Sequence, residues 1–477
     1  MKTYYYFLLF FIPIFSFSQQ KFEEREILTQ EISPESTIIP TESVFTAVQF
    51  EKQECISATQ NLQMKYENEQ NRKLILAKDP ESFKNLKKLT AFINPFRPKT
   101  GFTDYGYHTL QNQVDHDSRP NGFLLDYNCG TRTYDIEFYN HMGTDYVLWP
   151  YPWKRMQENM MEVIAAAPGI IINKKTAFND QNCLNNGNPQ WNGIVIQHSD
   201  GSTATYMHFK KNSATSKEIG DTVAAGEFLG ISGSSGSSTI PHLHFEIQDA
   251  GGNLIDPYVG TCNATTTTTW WQTQEDYYVP RINRLSTHYS VTQDSACPVV
   301  ENTYEKTNFN NGDLLVLKLF YRDIKPGDIT NIKITSPNGV VSSNFNWTQD
   351  WGVFYPTAYA YWTFNVTSSW LTGIYHVDIT FGGATYSTIF GVRTALATTD
   401  QAQNNFSIYP NPVKDVLYIK NFQDLKSVEI LDSSGRMVKK ENAKNSSINV
   451  NNLPKGSYIL KLQNNKQEEK TVKFIKE

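Results

Sequence analysis

Pro241-His-Leu-His-Phe-Glu-Ile247 alternates polar and apolar side chains at the period of a β-strand. Residues two apart on a strand project from one face, so His242 and His244 point together while Leu243, Phe245 and Ile247 face the other way. One apolar face and one face carrying two imidazoles predict an antiparallel sheet with a site laid on it. The preceding stretches agree. Gly193 to His198 and Thr203 to His208 are β-rich runs joined by Ser-Asp-Gly-Ser, a hairpin signature. Ile219 to Gly230 reads as a tight turn feeding a strand, and Val163 to Ile172 as two strands around a Pro-Gly turn. Residues 101–262 are therefore expected to be mainly β, an antiparallel domain with few helices.

Four features converge in this domain: His141-Met-Gly-Thr-Asp145, His208 at the end of a hairpin strand, the loop Gly233 to Ser238, and His242-Leu-His244. One imidazole of His-x-His can ligate a metal while its neighbour stands close enough to move protons. A further histidine and a carboxylate must come from elsewhere, and His141 with Asp145 supply them. Two histidines and one carboxylate leave a zinc position open for water, as in a catalytic site rather than a structural one. Zinc lowers the pKa of such a water from near 16 to roughly 7. Each feature alone is weak; their ordered combination is specific.

The stretch from about Tyr127 to Cys262 resembles the lysostaphin-like zinc endopeptidases, the Gly-Gly or β-lytic family. Tyr127-Asn-Cys-Gly-Thr-Arg-Thr-Tyr-Asp135, Gly143-Thr-Asp145, Trp191-Asn192, Gln197-His-Ser-Asp-Gly201, Ser232-Gly-Ser-Ser-Gly236 and Pro241-His-Leu-His-Phe-Glu246 carry the likeness. The resemblance implies a domain of the duplicated-hybrid-motif type and one Zn²⁺ per chain, held by His141, Asp145 and His244. It makes His208 and His242 the catalytic histidines; His242 is expected to be the general base and His208 to stabilise the oxyanion, with the two roles exchangeable. It further implies cleavage of peptide bonds in peptidoglycan cross-links or Gly-rich proteins. Two positions depart from the family pattern: Met207 stands where a small residue is usual, and Ile240 where Gly is usual. Both bear on cleft shape rather than on ligation.

Around this domain, 477 residues are too many for one core, and several domains are expected. Lys2, the apolar run Tyr4 to Phe15, and Ser16 and Ser18 before Gln19 read as a signal peptide over 1–18, so the protein is expected to be secreted. Residues 19–100 are charged and rich in helix formers, notably Ser57 to Lys73 and Asp79 to Lys88, which suggests a pro-region or accessory lobe. Residues 263–300 read as a linker that includes the run Thr265 to Thr269. Strand-period alternation in Leu314 to Tyr321 and Tyr375 to Phe381 predicts a β-sandwich over 301–394. A linker follows at 395–404. Residues 405–477, with Ile408-Tyr-Pro-Asn-Pro-Val413, Asp432-Ser-Ser-Gly435 and Leu453-Pro-Lys-Gly-Ser-Tyr-Ile459, resemble the small β-sandwich sorting domain of type IX secretion. That resemblance implies the outer-membrane export machinery as a partner.

Five cysteines suit an exported chain, and Cys129–Cys183 with Cys262–Cys297 are the pairings expected, leaving Cys55 over. A net charge of −5 without a basic stripe speaks against nucleic acid. Gly233 to Ser238 lacks the lysine of a phosphate loop. Cys129 is a weaker rival as nucleophile, being equally suited to a disulfide. Trp149-Pro-Tyr-Pro-Trp153 is better read as loop packing than as a substrate wall, and His108, His116, His198, His288 and His376 as structural or surface residues. The alternative from another class is a non-enzymatic wall-binding or hydrolase-activating module. That reading expects lost ligands, whereas all five positions are filled here.

Overall fold

The computed structural model describes residues 20–477 except 28–29, 51, 90, 120–121, 138, 184–189, 294–300, 395–406, 421–424, 433–435, 442–446 and 466–468. The signal-peptide reading at 1–18, the linker at 395–404, Cys297 and Ser433 to Gly435 lie outside the described residues.

The chain is mainly β, with 45% strand and 7% helix. The histidine-bearing sheet runs Thr222–Val223, Gly169–Lys175, Gly193–Gln197, Thr203–Met207, His242–Gln248, Thr144–Leu148, His108–Asn112, with Leu254–Ile255 beside His242–Gln248. Every pairing in it is antiparallel. The two-face prediction for 241–247 holds: Leu243, Phe245 and Ile247 join Tyr146, Tyr206, Ile194 and Ile196 in one buried cluster. Burying each such side chain stabilises the fold by about 1.5–3 kcal/mol, which ties the strand down and leaves its other face to position polar groups. On that face Met207, Val195 and Ile170 pack with Ile56, Met64 and Ile75. The last two belong to the helix Ala58–Lys78, whose capping box is Ser57 with Gln60. Asp79 to Lys88, expected to be helical, forms turns instead.

The sandwich pairs a five-stranded sheet (Gln20–Glu26, Glu42–Phe50, Tyr355–Asn365, Leu314–Ile324, Arg281–His288) with a six-stranded one. Phe45, Trp347, Trp362, Tyr321 and Phe390 lie in its core. Four of its strands come from outside the stretch read as sandwich, among them Gln30–Ile32 at the edge of the six-stranded sheet beside Val341–Thr348. Gln20–Glu26 and Glu42–Phe50 extend one edge of the five-stranded sheet, and Arg281–His288 forms the other. Their backbone groups there satisfy strand edges that would otherwise stand open. Trp149 is buried, and its indole N–H donates to the Tyr321 carbonyl at 3.0 Å, so the Trp149 to Trp153 loop packs against the sandwich. The carboxyl-terminal unit is a three-stranded and a four-stranded sheet around Leu417, Ile430, Leu460 and Phe474.

One disulfide joins Cys129 to Cys262, with a sequence separation of 133, which corrects both expected pairings. It joins the Tyr127 loop to the segment after the last strand, where Cys262 N–H also donates to the Tyr127 carbonyl at 2.9 Å. The same bond removes Cys129 as a nucleophile. Cys55 is the free cysteine among the described residues, and it is buried.

Candidate metal centre

Register brings the distant residues together. In the antiparallel pairing of Thr144–Leu148 with His242–Gln248, Asp145 stands opposite His244, and Met207 flanks His244 on the other side. Opposed residues of a pair project from the same face, so Asp145 and His244 must meet. His141 enters from the short turn before that strand. Its Nδ1 donates to the Gln113 carbonyl at 2.7 Å, leaving Nε2 to face the site. Nε2 of His141 is 3.3 Å from Nδ1 of His244 and 3.1 Å from one Asp145 oxygen, while His244 Nδ1 is 3.0 Å from the other. All three side chains are buried.

These separations provide a test of fit. Tetrahedral zinc with bonds of 2.0–2.1 Å has ligand atoms about 3.3 Å apart along each edge. Two ring nitrogens and a carboxylate already stand at nearly those spacings. A proton between the two rings can serve one contact at a time; a cation serves all three. Gly143 makes room for the arrangement, since a Cβ there would lie 2.6 Å from His244 Cε1.

His208 and His242 form the second half of the site. His208 follows the end of strand Thr203–Met207 with φ of 67°, a left-handed conformation costly for a non-glycine residue. Its Nδ1 donates to Ser235 O at 2.7 Å, and its buried Nε2 has no hydrogen-bond partner. The Gly/Ser loop thus orients this ring. His242 Nδ1 donates to Ile240 O at 2.7 Å, and its Nε2 lies 3.7 Å from Asp145. The two rings are 4.4 Å apart between centroids. His242 lines a cavity of ≈ 330 Å³ whose walls also include Gln49, Gln53, Cys55, Asn112, Asp145 and Ile240.

The electrostatics follow from burial and from the charges gathered there. Burial alone would raise the Asp145 pKa, but His141 beside it, with hydrogen bonds from His141 and His244, holds it well below the carboxylate range. Burial would lower His141, and Asp145 carries it instead to about 9. His244 and His242 are likewise raised against burial, by Cys55 and Asp145. His208 is lowered, by burial and then by the charge of His242. Burial would raise the Cys55 thiol, but His244 and its neighbours bring it well below the usual thiol value. Without a metal, the cluster therefore holds protons that a metal must displace.

All five residues expected from sequence are thus brought to one place. Three contributors were not singled out as site residues. Glu246 Oε2 is buried, 3.7 Å from His244 Nε2. Asn112 Nδ2 donates to Asp145 at 2.9 Å. Cys55 belongs to the amino-terminal region, yet its sulfur reaches the cluster. Glu246 carried a readable signal, being two residues past His244 on the same strand face; Cys55 and Asn112 carried none. Of the remaining histidines, His116 pairs with Asp256 at 2.9 Å, and His288 is bonded at both nitrogens, in keeping with structural roles.

One β-sheet thus brings two imidazoles and a carboxylate together beside two further histidines. Residues 155–257 match the family model described as Peptidase family M23, and residues 407–477 match that of the secretion system C-terminal sorting domain. The chain carries an M23 peptidase domain of the lysostaphin-like kind and a type IX sorting domain. His208, His242 and His244 fall inside the first match; His141 and Asp145 precede it. The chain is 51% identical over 56 residues to lysostaphin of Staphylococcus staphylolyticus, which is 12% of this chain and 11% of that protein. It is 45% identical over 56 residues to glycyl-glycine endopeptidase ALE-1 of Staphylococcus capitis, 12% of this chain and 15% of that one. The chain thus spans only a small part of these curated relatives. The crystallised catalytic domain of lysostaphin from Staphylococcus simulans aligns with a TM-score of 0.20 and 23% identity, over 32% of this chain and 89% of that domain. The sorting domain implies export, and among the described residues no helix is long and apolar enough to cross a membrane.

Proposed function

We propose that this chain is an exported zinc metalloendopeptidase whose metal is held by His141 Nε2, a carboxylate oxygen of Asp145 and His244 Nδ1. The observation that carries the reading is the convergence of those donors at 3.0–3.3 Å. Zinc, when bound, supplies Lewis acidity that polarises a scissile carbonyl and acidifies water. The protein's own groups do the rest. His208 and His242 each anchor Nδ1 on a backbone carbonyl, so each turns Nε2 towards the cleft. At 4.4 Å between ring centroids, two imidazolium charges repel, and the pair holds one proton more readily than two. The neutral ring takes the proton of the attacking water, and the charged ring donates to the developing oxyanion. Asn112 orients the carboxylate.

Similarity to lysostaphin and to a glycyl-glycine endopeptidase supports peptide cross-links of peptidoglycan, or Gly-rich protein segments, as substrate. The sorting domain supports delivery through the outer-membrane export machinery after removal of residues 1–18. Metal analysis of the wild type and of His244→Ala should find one zinc per chain and none. Peptide release from purified peptidoglycan, with elastin and casein run separately, should be lost in the variant. Equal zinc in the two proteins would refute the ligand assignment.

A further inference from the structure

We propose that Cys55 is a fourth ligand of the same metal, so that the full-length chain holds a closed, latent site until residues 52–57 are displaced. This rests on the zinc reading above.

The sulfur is placed for ligation. It lies within 4.8 Å of the ligand atoms of His141, Asp145 and His244, and equally of those of His208 and His242. A group reaching both sets occupies the space where water and a scissile carbonyl have to sit. A second observation points into that space: the buried Nε2 of His208, held in place from Ser235, has no hydrogen-bond partner. Cys55 is also the free thiol among the described residues of a chain whose Cys129 and Cys262 are oxidised. Bonding to a metal protects such a thiol in an oxidising compartment.

The segment is strapped down on both sides. Upstream, Glu42–Phe50 is built into the sandwich sheet, with Ala47 opposite Ala358. Downstream, the helix Ala58–Lys78 begins at its Ser57 cap, and Asn71 Nδ2 donates to the Ile172 carbonyl at 2.8 Å. Between these anchors, Gln53 Nε2 donates to Ser237 Oγ at 2.5 Å. Tyr134 Oη, 3.2 Å from the Cys55 sulfur, donates to Gln53 O at 2.7 Å. The two departures from the family pattern sit around this strap. Met207 packs in one cluster with Ile56, and Ile240 lines the same cavity as Cys55.

Chemically, one sulfur, two nitrogens and one oxygen complete a tetrahedral zinc site of the closed kind, which lacks the open position catalysis needs. Closure forms a metal–sulfur bond, releases the coordinated water and passes the thiol proton to solvent. Opening reverses each change.

The test uses the full-length chain with Co²⁺ in place of zinc. Wild type, Cys55→Ala and His244→Ala are compared for bound cobalt, for a thiolate-to-cobalt charge-transfer band in the near ultraviolet, and for peptidoglycan hydrolysis. The wild type should bind one cobalt and show the band. Cys55→Ala should bind one cobalt without the band and hydrolyse at least about tenfold faster, since a site open less than about a tenth of the time is slowed by that factor. Cys55→Ser serves as a near-isosteric second variant if the alanine form does not fold. A wild type that binds cobalt without the band, or that matches Cys55→Ala in rate, overturns the latent site while leaving the zinc reading intact. A wild type that binds no cobalt overturns the zinc reading itself.

Discussion

Two buried strand histidines of this molecule, His244 and His288, each have a polar neighbour two residues away on the same face. The outcomes are opposite. Ser286 Oγ hydrogen-bonds His288 Nε2 at 2.8 Å, and the other ring nitrogen donates to Thr303 O at 2.6 Å. Burial, followed by the charge of Lys318, pushes that imidazole down to about 3. Around His244, no neighbour satisfies the ring by itself. Its Nδ1 shares a crowded space with His141 and Asp145, and the nearby thiol and carboxylate raise this imidazole against burial. A neutral, doubly bonded imidazole is finished as it stands. A cluster of donors turned on one point is completed only by a cation.

The contrast is broken most severely at His208. On the proposed roles this ring acts at the reacting atoms and is not a metal donor, so His208→Ala should retain zinc. Its turnover should fall by roughly a hundred- to a thousandfold, the cost of losing one positioned transition-state group. Metal analysis beside kcat measured on peptidoglycan decides it. Zinc lost in parallel with activity would place His208 among the ligands instead.

How much of this was legible beforehand follows from the range of each interaction. The period-two alternation of 241–247 is local, and it fixed both the strand and the shared direction of His242 and His244. The pairing of Asp145 with His244 depends on strand register, and the order of motifs along the chain pointed to it only through resemblance. Cys55 is about 190 residues from His244, and its approach is built by a sandwich strand and a helix that meet the peptidase sheet independently. No periodicity encodes that. The disulfide failed for the same reason: pairing nearer cysteines is reasonable for a chain without contacts, whereas the real bond closes 133 residues. The strand Glu42–Phe50 was invisible as a sandwich strand because one of its partners, Tyr355–Asn365, lies in a distant segment.

A milder change sharpens the comparison from the side of Glu246. Its carboxylate stands behind His244, where a ligating imidazole gains basicity and orientation from an anionic partner. Gln248 Nε2 donates to Glu246 Oε1 at 2.7 Å and keeps the carboxylate in place. Glu246→Gln preserves shape and removes the charge. It should weaken zinc affinity by about ten- to a hundredfold without abolishing binding, as read by competition with a chelator. An unchanged affinity would show that His244 needs no such partner.

The smallest expected effect lies on the other side, at His288, and it appears in stability rather than catalysis. The folded imidazole has a pKa of about 3, below the value of about 6.5 for a free histidine, so the unfolded chain binds the proton more readily. Its contribution is fully present above about pH 6.5 and is lost as the pH falls from there towards 3. Between pH 8 and pH 5 the loss amounts to about 2 kcal/mol. The residue is fully buried, so solvent screening does not reduce the figure substantially. His288→Gln removes the titration and also weakens the bonds to Ser286 and Thr303, so its absolute stability is uninformative. The discriminating quantity is the slope. Denaturant unfolding at several pH values should show the wild type losing about 2 kcal/mol more than the variant over that interval. Parallel curves would mean that the imidazole is charged in the folded sandwich, and that the two histidines differ less than their surroundings imply.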